Sequence, residues 1–221
     1  MKLTPIDKEE IIAAFGDTVY LLFITAIFVI IFGILIGFTL YFTERKTDEV
    51  QSGFIKITNR VISFIIDIAR SIPFIILMVV LIPITVIIVG TMLGAKAALP
   101  ALIISATPFY GRIVYMSLRD VNKGKLEALR AMGASNLTVI LYMTKEALPS
   151  LISGLTVTLV TLVGFITSAG AIGAGGLGDL AVKRAFGNNL QVAYICVLLV
   201  LIIVFVIQLT GDYLSKKIDK R

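Results

Sequence analysis

Histidine and tryptophan are absent from this 221-residue sequence, and cysteine occurs once. The lone thiol, Cys196, can close no internal disulfide and says nothing about redox compartment. No constellation of catalytic or metal-ligating side chains stands out, so no catalysis, metal or cofactor is expected on this chain. A phosphate-binding loop is missing too. Gly94-Ala95-Lys96 and Gly124-Lys125 lack both the upstream glycine and the following Ser or Thr. Charge is scarce, at 15% of residues, and its absence is concentrated: residues 18–43, 71–95, 97–111, 147–178 and 185–211 contain no Lys, Arg, Asp or Glu.

Those gaps are filled by apolar side chains. Hydrophobic residues make up 58% of the chain and the mean hydropathy is +1.01, whereas soluble domains hold roughly 45–50% apolar residues. A hydrocarbon core of about 30 Å takes about 20 helical residues at about 1.5 Å each. Four of the runs exceed that length, and the third continues beyond Arg112 through 113–118. The pattern predicts an all-α polytopic membrane protein, a single transmembrane domain over 1–221 with spans at 19–42, 60–82, 97–118, 148–170 and 190–210. Barrel strands are excluded because they are about ten residues long and alternate in polarity. A cleavable signal peptide is not expected: Asp7, Glu9 and Glu10 precede a first apolar run too long for one. No internal or inverted repeat is visible.

Lys and Arg placement sets the expected orientation. Residues 43–59, 119–147 and the tail from Asp212, with the adjoining span ends, carry fourteen basic residues, against five on the opposite side. The amino terminus is therefore expected outside and the carboxyl terminus in the cytoplasm. The net charge of +6 is accounted for by anionic lipid headgroups and calls for no nucleic acid.

The longest polar stretch is "NKGKLEALRAMGASNLTVILYMTKEALP", residues 122–149. Leu126, Leu129 and Met132 recur at helical spacing, Gly133 allows a turn, and Ser135 or Asn136 can cap a second helix. That helix would carry Ile140, Leu141 and Thr144 on one stripe. Two short helices with a glycine elbow, lying along the membrane surface, are expected. Such a loop either connects two spans or docks in a partner's groove.

Inside the spans, Asp67 and Arg70 are three residues apart, where opposite charges on one helix can meet. Ionisable groups at that depth face the bundle interior, as a packing pair or as lining of a path. Ser71 and Pro73 share the segment, and Pro73 removes the backbone bond to residue 69, favouring a kink. Arg112, near a span end, is expected to snorkel to the interface. Gly173, Gly175 and Gly178 have dinucleotide-loop spacing, but no strand precedes them; small residues here permit bending and close backbone approach. The six methionines are scattered and read as packing.

Glu127-Ala128 followed by Gly133 resembles the EAA loop in membrane subunits of ABC importers, with Leu129 at the third motif position. Where that family has Leu-Pro, this chain has Lys145-Glu146, with Leu148-Pro149 slightly later. "RSIPFIIL" (70–77), "IVGTMLG" (88–94), "TPFYGR" (107–112), "EALRAMGAS" (127–135), "EALPSLISG" (146–154), "TLVTLVG" (158–164) and "GAIGAGGLGDL" (170–180) are similar, in order and spacing, to the membrane subunits of methionine ABC importers. The resemblance implies a compact five-span importer fold in the bacterial cytoplasmic membrane. It also implies a homodimer, two cytoplasmic ATPase subunits that hold ATP and magnesium, and an external methionine-binding protein. Glu127, Ala128, Leu129, Met132, Gly133 and Ala134 would form the ATPase-coupling loop. Thr167, Ser168, Gly170, Gly173 and Gly175 would lie at an outer gate. Methionine comes from the resemblance alone; another small amino acid or peptide, or an autonomous secondary transporter, are the alternatives.

Overall fold

The computed structural model describes residues 4–49, 53–187 and 189–219. Lys2, Lys220 and Arg221, which entered the charge count, lie outside the described residues, as do the side chains of Arg45, Lys46 and Lys56. Nine helices make up the described residues: α1 (Pro5–Glu49), α2 (Gly53–Ser71), α3 (Phe74–Val80), α4 (Ile82–Val89), α5 (Ala95–Arg119), α6 (Lys123–Ala131), α7 (Asn136–Gly170), α8 (Gly176–Phe186) and α9 (Leu190–Ile218). No strand occurs among them. Among the described residues four helices are long and apolar enough to cross a bilayer, and one bent helix pair brings the number to five if the pair is a single span.

The helix at the centre is α5. In its most apolar stretch 61% of residues are buried, against 22% in α1 and in α9. Leu102, Val114 and Leu118 of α5 join Leu21 and Val29 of α1 and Leu162 and Ile166 of α7 in one cluster. Close approach of α1 and α5 depends on a small-xxx-small pattern that the sequence analysis did not pick out. A methyl group on Gly33 would lie 2.6 Å from the Tyr110 ring, and one on Gly37 would lie 2.4 Å from Val114 Cγ1. Without a hydrophobic drive between helices in lipid, such backbone proximity is what holds a pair together. Phe23, Ile27, Ile31 and Leu35 of α1 stay exposed, as does Phe205 of α9, which suits surfaces facing acyl chains.

The expected second span, 60–82, is broken. Its two parts, Asn59–Ser71 and Phe74–Val80, meet at 106°. Pro73 has φ −55° and ψ 133°, outside the helical region. Proline has no N–H to bond back to Ala69, and it drives the residue before it out of helical geometry. The fourth span also differs from expectation. In place of a separate surface helix followed by a span from 148, α7 runs from Asn136 to Gly170 without interruption and keeps Pro149 inside it. Val139, Met143 and Ala147 form its buried face, rather than the Ile140–Leu141–Thr144 stripe. Helix α8 was not foreseen. Gly175 (φ 78°) and Gly176 (φ 79°) reverse the chain, after which α8 packs on α1, α7 and α9.

Candidate functional site

The polar loop 122–149 is built from three local devices. Asn122 caps α6 by accepting a hydrogen bond from the Gly124 N–H at 2.9 Å. At the other end, Ala134 N–H bonds to Leu129 C=O (3.1 Å) and Gly133 N–H to Arg130 C=O (2.9 Å). With Gly133 at φ 81°, this is a Schellman motif, and Leu129 and Ala134 make its accompanying apolar contact against the core. Ser135 then caps α7, accepting from Thr138 N–H at 3.2 Å. Two caps and a left-handed glycine thus fix the angle between α6 and α7.

Among Leu126 and the six residues assigned to this loop, the structure separates anchors from outward-facing groups. Leu126 is buried and Leu129 half-buried, while Glu127, Ala128, Met132 and Gly133 are exposed and Ala134 is half-buried. Met132 is 74% exposed, and Leu137 and Leu141 of α7 extend the apolar surface at 66% and 62%. Space around Gly133 is open, with no atom within 4 Å of an added methyl group. A contact the sequence does not announce completes the unit: Lys125 Nζ donates to Glu146 Oε1 at 2.6 Å, bracing α6 against α7. Glu146 was noted as a departure from the family motif; its partner twenty-one residues earlier has no signature at short range.

Next to this loop, Tyr115 Oη donates to Glu44 while Arg119 donates to Tyr115 Oη at 3.1 Å. Arg112, expected to snorkel, is half-buried, with its guanidinium 5.0 Å from the centre of the Tyr115 ring. The network ties the carboxyl end of α5 to the far end of α1.

At the bend, Asp67 and Arg70 do not meet. Among the described residues neither forms an ion pair; Asp67 is exposed, and Arg70 lies 5.6 Å above the Phe109 ring. Ser71 donates back to the Asp67 carbonyl at 2.7 Å, and exposed Pro73 begins α3. Beside the bend is a pocket of about 230 Å³ between α2, α3, α5 and α7.

The five residues assigned to an outer gate gather where α7 turns into α8. A methyl group on Gly178 would fall 2.2 Å from the Thr167 carbonyl oxygen, and one on Gly170 would fall 2.4 Å from the Asp179 nitrogen. Here α7 and α8 touch backbone to backbone. Ser168 donates to Gly164 C=O (2.9 Å), Gly173 C=O accepts from Gly94 N–H (2.9 Å), and half-buried Gly175 is the N-cap residue of α8. Thr18 of α1 accepts from Leu177 N–H at 2.9 Å, and Arg184 pairs with Glu10 and Asp7. The Glu10 hydrogen bond holds the Arg184 guanidinium further toward its charged form than usual, against the opposing effect of desolvation. The turn is therefore fastened to α1 at three side chains.

An all-helical bundle with exposed apolar flanks, four long apolar helices, a sharply bent helix pair and one braced polar helix–turn defines a polytopic membrane component. Residues 52–221 match the family described as binding-protein-dependent transport system inner membrane component, and the chain belongs to that family. It is 48% identical over 168 residues to the Methionine import system permease protein MetP of Bacillus subtilis, covering 75% of this chain and 76% of that relative. To the Probable D-methionine transport system permease protein MetI of Pasteurella multocida it is 39% identical over 207 residues, 93% and 94% of the two chains. A solved chain of the MetNI methionine ABC transporter, in an inward-facing conformation, superposes with a TM-score of 0.90 at 34% identity, covering 99% of this chain and 100% of that one.

Proposed function

We propose that this chain is the membrane-spanning subunit of an ATP-driven importer that carries methionine, D and L, from an external binding protein into the cytoplasm. It works as a homodimer, a single transmembrane domain per chain, in the bacterial cytoplasmic membrane with its amino terminus outside. Two cytoplasmic ATPase subunits hold ATP and magnesium and act on it through the loop 122–149. The observation that carries this reading is the division within α6: Leu126 is rooted in the core while Glu127, Ala128 and Met132 face outward. A helix anchored on one face and bare on the other suits a groove in a partner. The methionine permeases among its relatives supply the substrate.

On this reading a push on α6 reaches the membrane through the caps at Asn122 and Ser135 and the Lys125–Glu146 brace. Thr167, Ser168, Gly170, Gly173 and Gly175 then form an outer closure about the dimer axis, and Asp67, Arg70, Ser71 and Pro73 border the path. Radiolabelled methionine uptake by membrane vesicles, with and without the ATPase subunits, tests the proposal. Uptake should require the ATPase, the binding protein and ATP; equal uptake without nucleotide would overturn it. A cysteine at Ser168 should crosslink between protomers in one nucleotide state and not the other.

A further inference from the structure

The pocket at the α2–α3 bend combines features that lipid packing alone does not call for. Arg70 reaches it from α2, Phe74 from α3, Ser105 and Phe109 from α5, and Thr161 and Phe165 from α7. Phe74 and Phe165 stack at 4.8 Å with their planes 11° apart, so one apolar wall is preformed. Ser105 is 8% exposed, and its hydroxyl has no hydrogen-bond partner among the described residues. Arg70 has no carboxylate within ion-pair distance among them either; an aromatic face is its recorded contact. The buried Ser105 hydroxyl is costly without a partner, and Arg70, an exposed residue, brings its cation to the edge of the pocket.

Depth and size narrow the occupant. Ser105 lies near the middle of α5 (Ala95–Arg119), and Thr161 lies near the middle of the predicted fourth span, 148–170. Irregular backbone at that depth is tolerated where it lines a cavity. A volume of about 230 Å³ is below the roughly 300 Å³ at which drug-sized sites begin, so a single small molecule fits better than a peptide. Arg70 favours an anionic group, three phenylalanines favour an apolar and polarisable chain, and the Ser105 hydroxyl can donate or accept.

We infer that this pocket is a transit site for one apolar amino acid: Arg70 takes its α-carboxylate, Ser105 hydrogen-bonds its head group, and Phe74, Phe109 and Phe165 enclose its side chain. The inference rests on the importer reading and adds to it a selective station supplied by this chain's own side chains.

The chain has no tryptophan, so Phe109→Trp in the permease–ATPase complex, held in lipid nanodiscs, reports on the pocket once the parent complex is subtracted as background. Phe165→Trp is the second reporter, and co-elution with the ATPase checks assembly of every variant. Methionine and norleucine should give saturable changes, while methioninamide, which lacks the carboxylate, should bind about tenfold or more weakly. Arg70→Gln should erase that discrimination and Arg70→Lys should keep part of it. No saturable response to methionine with either reporter, an equal response to methioninamide, or unchanged discrimination in Arg70→Gln would overturn the site. Uptake by the unmodified complex in liposomes, supplied with the external binding protein and ATP, is measured alongside. Normal methionine uptake with silent reporters sinks the transit site and leaves the importer standing. Selective reporter signals without ATP-dependent uptake support the site and sink the importer.

Discussion

The ammonium of Lys125 lies 2.6 Å from Oε1 of Glu146, joining α6 to α7 across the glycine elbow. The pair is partly exposed, at 50% and 23% of the two side chains, so it adds at most about 1 kcal/mol to stability. Its effect is on the angle between two helices. Lys125→Glu should leave expression and membrane insertion unchanged and lower methionine uptake per ATP hydrolysed. Exchanging the two residues, Lys125→Glu with Glu146→Lys, should restore part of the coupling. Unchanged transport stoichiometry in the single variant would remove the brace from the mechanism.

Glu127 and Gly133 should fail for different reasons. Glu127 is exposed, so Glu127→Lys should insert and fold normally yet lose uptake and recovery of the ATPase in pull-downs. Gly133 has φ 81°, where a side chain with Cβ costs about 1–2 kcal/mol. Gly133→Val should therefore loosen the elbow and expose 130–136 to limited proteolysis, whereas Gly133→Asn should be tolerated far better.

Two glycines of α7 and α8 provide a matched pair. A methyl group at Gly178 meets backbone at 2.2 Å, while one at Gly164 meets nothing within 4 Å. Gly178→Ala should lower the thermal midpoint in detergent, with an overpacking cost of about 1–3 kcal/mol. Gly164→Ala should be neutral or slightly stabilising, since alanine is favoured over glycine in a helix by roughly 1 kcal/mol. Equal midpoints for the two variants would contradict the close α7–α8 contact.

Topology is open to a labelling experiment in which the buried Cys196 is first replaced by serine. Lys8→Cys should react with an impermeant maleimide on intact cells, and Lys123→Cys only after permeabilisation. The reverse pattern would invert the orientation and move α6 away from the cytoplasmic ATPase.

Uncharged runs made the crossing elements legible, because burial in lipid requires long stretches free of charge and little else. The same uniformity hid what happens within and between them. The run 147–178 contains both the end of α7 and the start of α8, and positive backbone φ angles at Gly173, Gly175 and Gly176 divide it. The fourth span was expected to start at 148, where α7 continues without a break. Pro73 was legible as a kink, but not as a turn of 106°, because sequence marks a broken hydrogen bond without saying where the chain goes next. In the loop, cap chemistry and Gly133 were readable because they are local. The Lys125–Glu146 contact and the Arg70–Phe109 contact join separate helices, and no spacing rule encodes them.

The uninterrupted course of α7 has a geometric consequence. Its 35 residues make a stiff pole of about 52 Å at about 1.5 Å per residue, whose foot is the elbow and whose head presses on α8. Swinging the foot through about 5° carries the head sideways by about 5 Å, close to one helical turn. Pro149 and the seven threonines and serines that follow it do not divide the helix, so a displacement at one end is carried toward the other.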